Sequence, residues 1–189
     1  AVSVRTLGSG GGTIRSAMGL GGSVDLVGKA CQDRRVACVV VEFGNNDCKT
    51  DYGQTEARVP LEEFRTLLGR AISKSLSCRK RVVVLSPVRG RHHAIPYYDL
   101  ANVARYVEAA RAVVESFAGD EDVVFVDVFT NMTPEMLQPM CYLHPDLEGH
   151  VYIASQIVEF AGPSIAAIPS WEADGDQSVQ IEGPLCEVM

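Results

Sequence analysis

Residues 36–47, which carry the clearest fold signal in the chain, read Val-Ala-Cys-Val-Val-Val-Glu-Phe-Gly-Asn-Asn-Asp. The first half of this stretch is a nearly continuous apolar run, which is typical of a strand covered on both faces in a parallel sheet. The run ends at Gly44 in three small polar side chains, Asn45, Asn46 and Asp47. Because ligands of open α/β sheets bind outside the carboxyl ends of the strands, we expect these side chains to line a crevice. The alternative interpretation is a plain turn, which the same residues favour on their own account.

The rest of the chain alternates strand-like and helix-like patterns. Apolar runs at residues 81–85 and 123–128 predict two more buried strands, and helical periodicity predicts helices at residues 61–76, 97–117 and 147–160. This alternation predicts the α/β class, with a flavodoxin-like, doubly wound parallel sheet in three α/β/α layers. We expect the three strands to be parallel neighbours, with Asn46 and His144 at their carboxyl edge.

The first thirty residues combine a short alternating strand with a glycine-rich turn. Residues 1–7 alternate apolar and polar side chains, Gly-Ser-Gly-Gly-Gly follows at residues 8–12, and residues 13–30 predict a helix broken near Gly19 and Gly21. The turn lacks the lysine and the Ser/Thr of a phosphate loop. A turn that lets a substrate approach the backbone is therefore favoured over a nucleotide site.

Composition excludes several function classes. A net charge of −7 and a pI near 5.1 argue against nucleic acid or anionic membranes as main partners. No apolar run reaches the roughly 18 residues of a membrane span. The six cysteines lack paired metal-ligand spacing, so we expect free thiols without a disulfide framework, no metal or other cofactor, and a reducing intracellular compartment.

The residues around His144 resemble the last motif of the SGNH (GDSL-type) hydrolases, in which a histidine precedes a proline and a helix. Residues 44–47 resemble the G-x-N-D motif of that family, which implies Asn46 as the oxyanion-hole asparagine. The turn at residues 8–13 resembles the family's glycine motif, which implies Gly10 as the backbone donor. Segments 59–64, 81–87 and 168–171 also resemble the isoamyl acetate-hydrolysing esterase subgroup. The resemblance implies an SGNH hydrolase fold over residues 1–171, followed by an acidic tail at residues 172–189.

Two departures from the family pattern bear on activity. No Gly-Asp-Ser occurs in the 189 residues, and Cys141 stands where the family has an Asp three residues before its histidine. The resemblance thus implies a vestigial base, His144, beside the oxyanion-hole positions Gly10 and Asn46. Ser9 and Cys141 are weak candidates for a replacement nucleophile, because Ser9 belongs to the glycine motif and Cys141 to the orienting side of the imidazole. We expect the family's first strand to be missing, with its place taken by residues 2–7 or by a donated strand.

Three functions stay open on this basis. The first, which Cys141 favours, is a degenerate SGNH fold that serves as a structural or accessory subunit of a larger assembly. The second is an active carboxylic-ester hydrolase whose nucleophile segment lies upstream of Ala1. The third is a lectin-like module that holds an acyl or acetylated ligand. The partners implied are other protein subunits and a small ester or acyl ligand, in an intracellular setting that includes mitochondrial or other organellar complexes.

Overall fold

The computed structural model describes residue 7 and residues 10–51, 54–90, 98–139 and 143–162. In these ranges three strands form one parallel sheet in the order β1-β2-β3, namely Cys38–Glu42 (β1), Arg81–Leu85 (β2) and Val123–Val126 (β3). Val40 of β1 lies opposite Val83 of β2, which in turn lies opposite Val124 of β3. The prediction of three neighbouring parallel strands is confirmed.

Helices connect and cover these strands. They are Ile14–Ala17 (α1), Leu26–Gln32 (α2), Leu61–Ser77 (α3), Leu100–Glu115 (α4) and Leu147–Gln156 (α5), with 3-10 turns at Leu20–Gly22 and Pro134–Met136 and a π-helical turn at Ile157–Ala161. The segment predicted as a weakened helix over residues 13–30 is interrupted where expected. Gly19 and Gly21 have φ angles of 75° and 71°, in the left-handed region that glycine adopts most readily.

Apolar side chains pack on both faces of the sheet, because successive residues of a strand point to opposite sides. On one face, a cluster joins the sheet to α3 and α4; its members include Val41, Val82, Val84, Phe64, Leu68, Ile72, Val103 and Tyr106. On the other face, a smaller cluster of Val83, Leu85, Val126, Val128 and Ala161 receives side chains of α5 and the π-helical turn. The chain therefore has an α/β fold with helices on both sides of a parallel sheet.

The first strand is less buried than its sequence predicts. Val41 is buried, but Val40, on the opposite face, is 50% exposed, and Cys38 is only partly buried. The reason is position: β1 lies at the end of the described strand order, and the smaller apolar cluster covers mainly β2 and β3. An apolar run indicates that both faces of a strand can be buried. It does not show that helices or other strands cover both faces.

The cysteines contradict the expectation of a chain without disulfides. Cys31 in α2 and Cys78, which follows α3, form a disulfide with their Cα atoms 5.5 Å apart. The two residues are 47 positions apart in sequence, so only the packing of α2 against α3 reveals the pair. Cys38 and Cys48 are free thiols.

Several predicted features lie outside the described residues. These are the strand over residues 1–6, Ser9, Cys141 and the acidic tail at residues 172–189. Within the described ranges, no helix combines the length and the apolar character needed to cross a bilayer.

Candidate functional site

The chain leaves β1 through a tight turn at residues 44–48. The Cys48 N–H donates to the Gly44 carbonyl at 2.9 Å, and Gly44 has a φ of 123°. A side chain at Gly44 would collide with the ring of Pro87, which follows β2. Glycine is required here because the loops after β1 and β2 approach each other so closely.

The sequence predicts that Asp47 lines a crevice, but its side chain is fully buried. Its Oδ1 accepts a hydrogen bond from the Ile14 N–H and its Oδ2 accepts one from the Gly44 N–H, both at 2.9 Å. Burial raises the pKa of Asp47, although these two hydrogen bonds and the nearby charge of Arg15 act in the opposite direction. The Asp47 side chain thus joins the start of α1 to the turn that carries Asn46.

The side-chain amide of Asn46 is held from both ends. Its Nδ2 donates to the Gly12 carbonyl at 3.2 Å, and its Oδ1 accepts from the Lys49 ammonium at 2.8 Å. Because an ammonium can only donate, Lys49 determines which end of the amide carries the N–H groups. Among the described residues Gly12 is the one acceptor for Nδ2, so its second N–H can donate to a ligand.

The glycine turn lies beside this amide. Gly10 is exposed and sits two residues before Gly12, whose carbonyl bonds to Asn46. Thr13 then caps α1 by accepting a hydrogen bond from the Ser16 N–H at 3.5 Å. Asn46 is hydrogen-bonded to Gly12, and the oxyanion-hole role of Gly10 stays a prediction.

His144 lies in an extended segment that pairs with residues 136–138. The Gln138 N–H donates to the His144 carbonyl at 2.9 Å, and the Asp146 N–H donates to the Met136 carbonyl at the same distance. The His144 side chain is exposed, and no hydrogen bond joins its imidazole to another residue in the described part of the chain. Its role as a base, and that of Cys141 beside it, remain predictions.

The neighbours of His144 locate this segment relative to the sheet. Leu143 lies against Gly90, which follows the carboxyl end of β2. On the other side, Asp146 caps α5 by accepting from the Gly149 N–H at 2.9 Å. Gly149 has no room for a side chain because the Met136 carbonyl approaches it closely.

Asn45 has a partner that sequence reasoning missed. It exchanges two hydrogen bonds of 2.8 Å with the backbone of Val88, one from its own Nδ2 and one to its Oδ1. Tyr98 holds the same segment from the other side, since its hydroxyl accepts from the Gly90 N–H at 2.7 Å. The contacts fix the backbone on both sides of Arg89.

One carboxyl group and one thiol near the turn, those of Glu42 and Cys48, have shifted pKa values. Burial raises the pKa of Glu42, the last residue of β1, to about 7, and the nearby Asp47 adds to this. Burial likewise raises the pKa of the Cys48 thiol to about 12, so that it is a neutral apolar group at physiological pH. In the described part of the chain, no group of three or more His, Cys, Asp or Glu side chains could hold a metal ion.

With this geometry established, comparison with known proteins identifies the class. The family model for the GDSL-like lipases and acylhydrolases matches residues 2–152. The chain belongs to the GDSL-like lipase/acylhydrolase family. No curated protein matches its sequence at a significant level.

Solved structures agree with this assignment at the level of the fold. A lipase/acylhydrolase from Enterococcus faecalis is similar with a TM-score of 0.59 and 21% identity, over 79% of this chain and 70% of that one. LAE5, an α/β hydrolase enzyme from the metagenome of Lake Arreo, Spain, has a TM-score of 0.60 and 22% identity, over 80% and 69%. Axe2, an acetylxylan esterase from Geobacillus stearothermophilus, has a TM-score of 0.56 and 19% identity, over 79% and 67%.

Proposed function

We propose that this chain is a catalytically degenerate SGNH-type protein that binds the carbonyl group of a small acyl ester and serves as an accessory subunit of a larger assembly. The observation that carries the proposal is the Asn46 amide, which Gly12 and Lys49 hold in one orientation. A fixed N–H donor of this kind stabilises a carbonyl oxygen or an oxyanion without reorganising.

The proposed site differs from the family pattern in the group that would orient its base, His144. Cys141 occupies the position that the family pattern gives to an Asp. In serine proteases, loss of the carboxylate that orients the histidine lowers kcat by about 10⁴-fold. A thiol at this position supports the same consequence here, which is binding with little or no turnover.

An active carboxylic-ester hydrolase of the isoamyl acetate-hydrolysing type is the second candidate. It is favoured by the intact network around Asn46 and by the half-exposed Val40 on β1. Within the described ranges no strand pairs with the outer side of β1. In this candidate a strand that carries the nucleophile pairs there, for example one donated by a partner chain through β-strand addition.

This proposal also departs from the reducing intracellular compartment that we expected from the sequence. The Cys31–Cys78 disulfide supports an oxidising setting, because disulfides persist in such compartments and are rare in reducing ones. An accessory role in a secreted or organellar assembly is compatible with both the disulfide and the proposed binding site.

Hydrolysis of p-nitrophenyl acetate separates the two candidates. The protein, as its natural gene encodes it, is assayed as the wild type, as His144→Ala and as Cys141→Asp. The degenerate function predicts no turnover in any of them. The second candidate predicts turnover by the wild type that is lost in His144→Ala and rises in Cys141→Asp, where the orienting carboxylate is restored. Turnover of that kind would overturn the accessory role.

A further inference from the structure

A cleft of about 580 Å³ opens at the carboxyl edge of the sheet, between the ends of β2 and β3 and the start of α4. Its lining residues are Arg89 after β2, Phe129 and Thr130 after β3, and Leu100, Ala101 and Ala104 on α4. The cleft is shallow and largely open to solvent, so a bound ligand would keep part of its surface in contact with water. Apart from Arg89 and Thr130, the lining is apolar.

Arg89 is the charged group of this cleft. Its guanidinium lies over the ring of Phe129, 5.7 Å from the ring centre, which is within the range of a cation–π contact. In the part of the chain that the structure describes, no carboxylate forms an ion pair with Arg89. Arg111 on α4 differs, since it pairs with Asp127 at 2.6 Å.

The carboxylates near the cleft already have hydrogen-bond partners. Asp127 accepts hydrogen bonds from the backbone N–H and the hydroxyl of Thr130, as well as from Arg111. Asp99 caps α4 through the Ala101 N–H at 3.0 Å. Because these carboxylates have partners of their own, the positive charge of Arg89 is left for a ligand.

The backbone around Arg89 is preorganised. Asn45 fixes Val88 on one side, and the Tyr98 hydroxyl accepts from the Gly90 N–H on the other. A guanidinium on a fixed backbone loses less freedom when it binds, which favours a specific ligand over loose ionic contact.

We propose that this cleft binds a small organic monocarboxylate. The planar fork of Arg89 receives the carboxylate through paired N–H···O bonds, and the apolar body of the ligand lies on Phe129, Leu100 and Ala104. A monoanion matches the single guanidinium in charge. A phosphate dianion would carry one negative charge more than the guanidinium of Arg89 compensates.

Calorimetric titration of the purified protein with sodium hexanoate tests this site, with hexanamide as the neutral probe of equal length. Hexanoate is expected to bind more tightly than hexanamide. Arg89→Gln should weaken hexanoate binding by about 10- to 100-fold, the range of a hydrogen bond to a charged group, and leave hexanamide unchanged. Arg89→Lys, which keeps the charge and loses the fork, should fall between Arg89→Gln and the wild type.

Arg105→Gln is the matched control, because Arg105 lies on α4 but lines a different groove with Arg65 and Glu108. It should leave the affinity for hexanoate unchanged. Thermal melts of each variant verify the fold, and Arg89→Gln should melt close to the wild type, since in the described part of the chain it loses the contact with Phe129 but no hydrogen bond or ion pair. No binding of hexanoate, equal binding of the two probes, or an equal loss in Arg105→Gln would overturn the proposal.

Discussion

At the scale of single residues, three adjacent side chains in the turn after β1 make different contacts. Asn45 fixes the loop after β2, Asn46 presents an amide, and Asp47 ties the turn to α1. The motif predicted polar residues at the carboxyl edge of a strand, and that placement is what the structure has. Their distant partners, Val88, Gly12 and Ile14, could not be predicted because these residues lie more than thirty positions away in sequence.

Asp47 should contribute strongly to stability. Asp47→Ala removes the acceptor for the Ile14 and Gly44 N–H groups, and each buried donor left unpaired costs about 1–3 kcal/mol. Urea unfolding should show a loss in this range or above. Asp51→Ala is the control, because the exposed Asp51–Arg58 ion pair contributes at most about 1 kcal/mol. Equal losses in the two variants would contradict the role of Asp47.

Glu42 should make stability depend on pH. Burial raises its pKa from the ordinary 4.5 to about 7, so between these values the folded protein holds a proton that the unfolded chain has released. The free energy of unfolding should therefore fall as the pH rises from about 4.5 to about 7, and level off above. Glu42→Gln should lack this component, measured as the difference between the urea-unfolding profiles of wild type and variant. Parallel profiles over this interval would contradict the shifted pKa.

At the scale of elements, the sequence patterns predicted the helices and their interruptions better than they predicted which residues are buried. The apolar stripe at helical spacing gave α3 to within a residue at its end, and glycines at positive φ interrupt the chain between α1 and α2 as expected. The exposure of Val40 could not be predicted, because it depends on which strand and helix lie beside β1. The disulfide was missed for the same reason, since only the pairing of α2 with α3 brings Cys31 to Cys78.

The disulfide should stabilise the packing of α2 on α3. It closes a long loop, with a sequence separation of 47 between its cysteines. A disulfide typically contributes about 2–4 kcal/mol, more for longer loops. The double variant Cys31→Ser/Cys78→Ser should therefore unfold at lower urea concentration than the oxidised wild type. Addition of a reductant should lower the midpoint of the wild type and leave that of the double variant unchanged; a reductant effect of equal size on both would show that the bond contributes nothing.

At the scale of the whole molecule, the family and the α/β architecture were predictable because several weak motifs occur in the right order along one chain. The match to the GDSL-like family over residues 2–152 and the parallel order of β1, β2 and β3 confirm that inference. The cleft around Arg89 was not predictable, because only the structure shows which partners the nearby carboxylates of Asp99 and Asp127 have. Family membership in turn does not decide between binding and turnover, which depends on how the Asn46 amide and the base are used.

The most direct test of the account is whether Asn46 donates to an ester carbonyl. In ¹⁵N-labelled protein, the side-chain amide signals of Asn45 and Asn46 are followed by NMR during titration with ethyl acetate, with assignments from Asn45→Ala and Asn46→Ala. Asn45 is the internal control because its Nδ2 donates to the Val88 carbonyl at 2.8 Å and its side chain is also hydrogen-bonded to Tyr98. The account predicts a saturable shift of the Asn46 signal and a constant Asn45 signal. An Asn46 signal that stays constant, or one that moves together with Asn45, would contradict it.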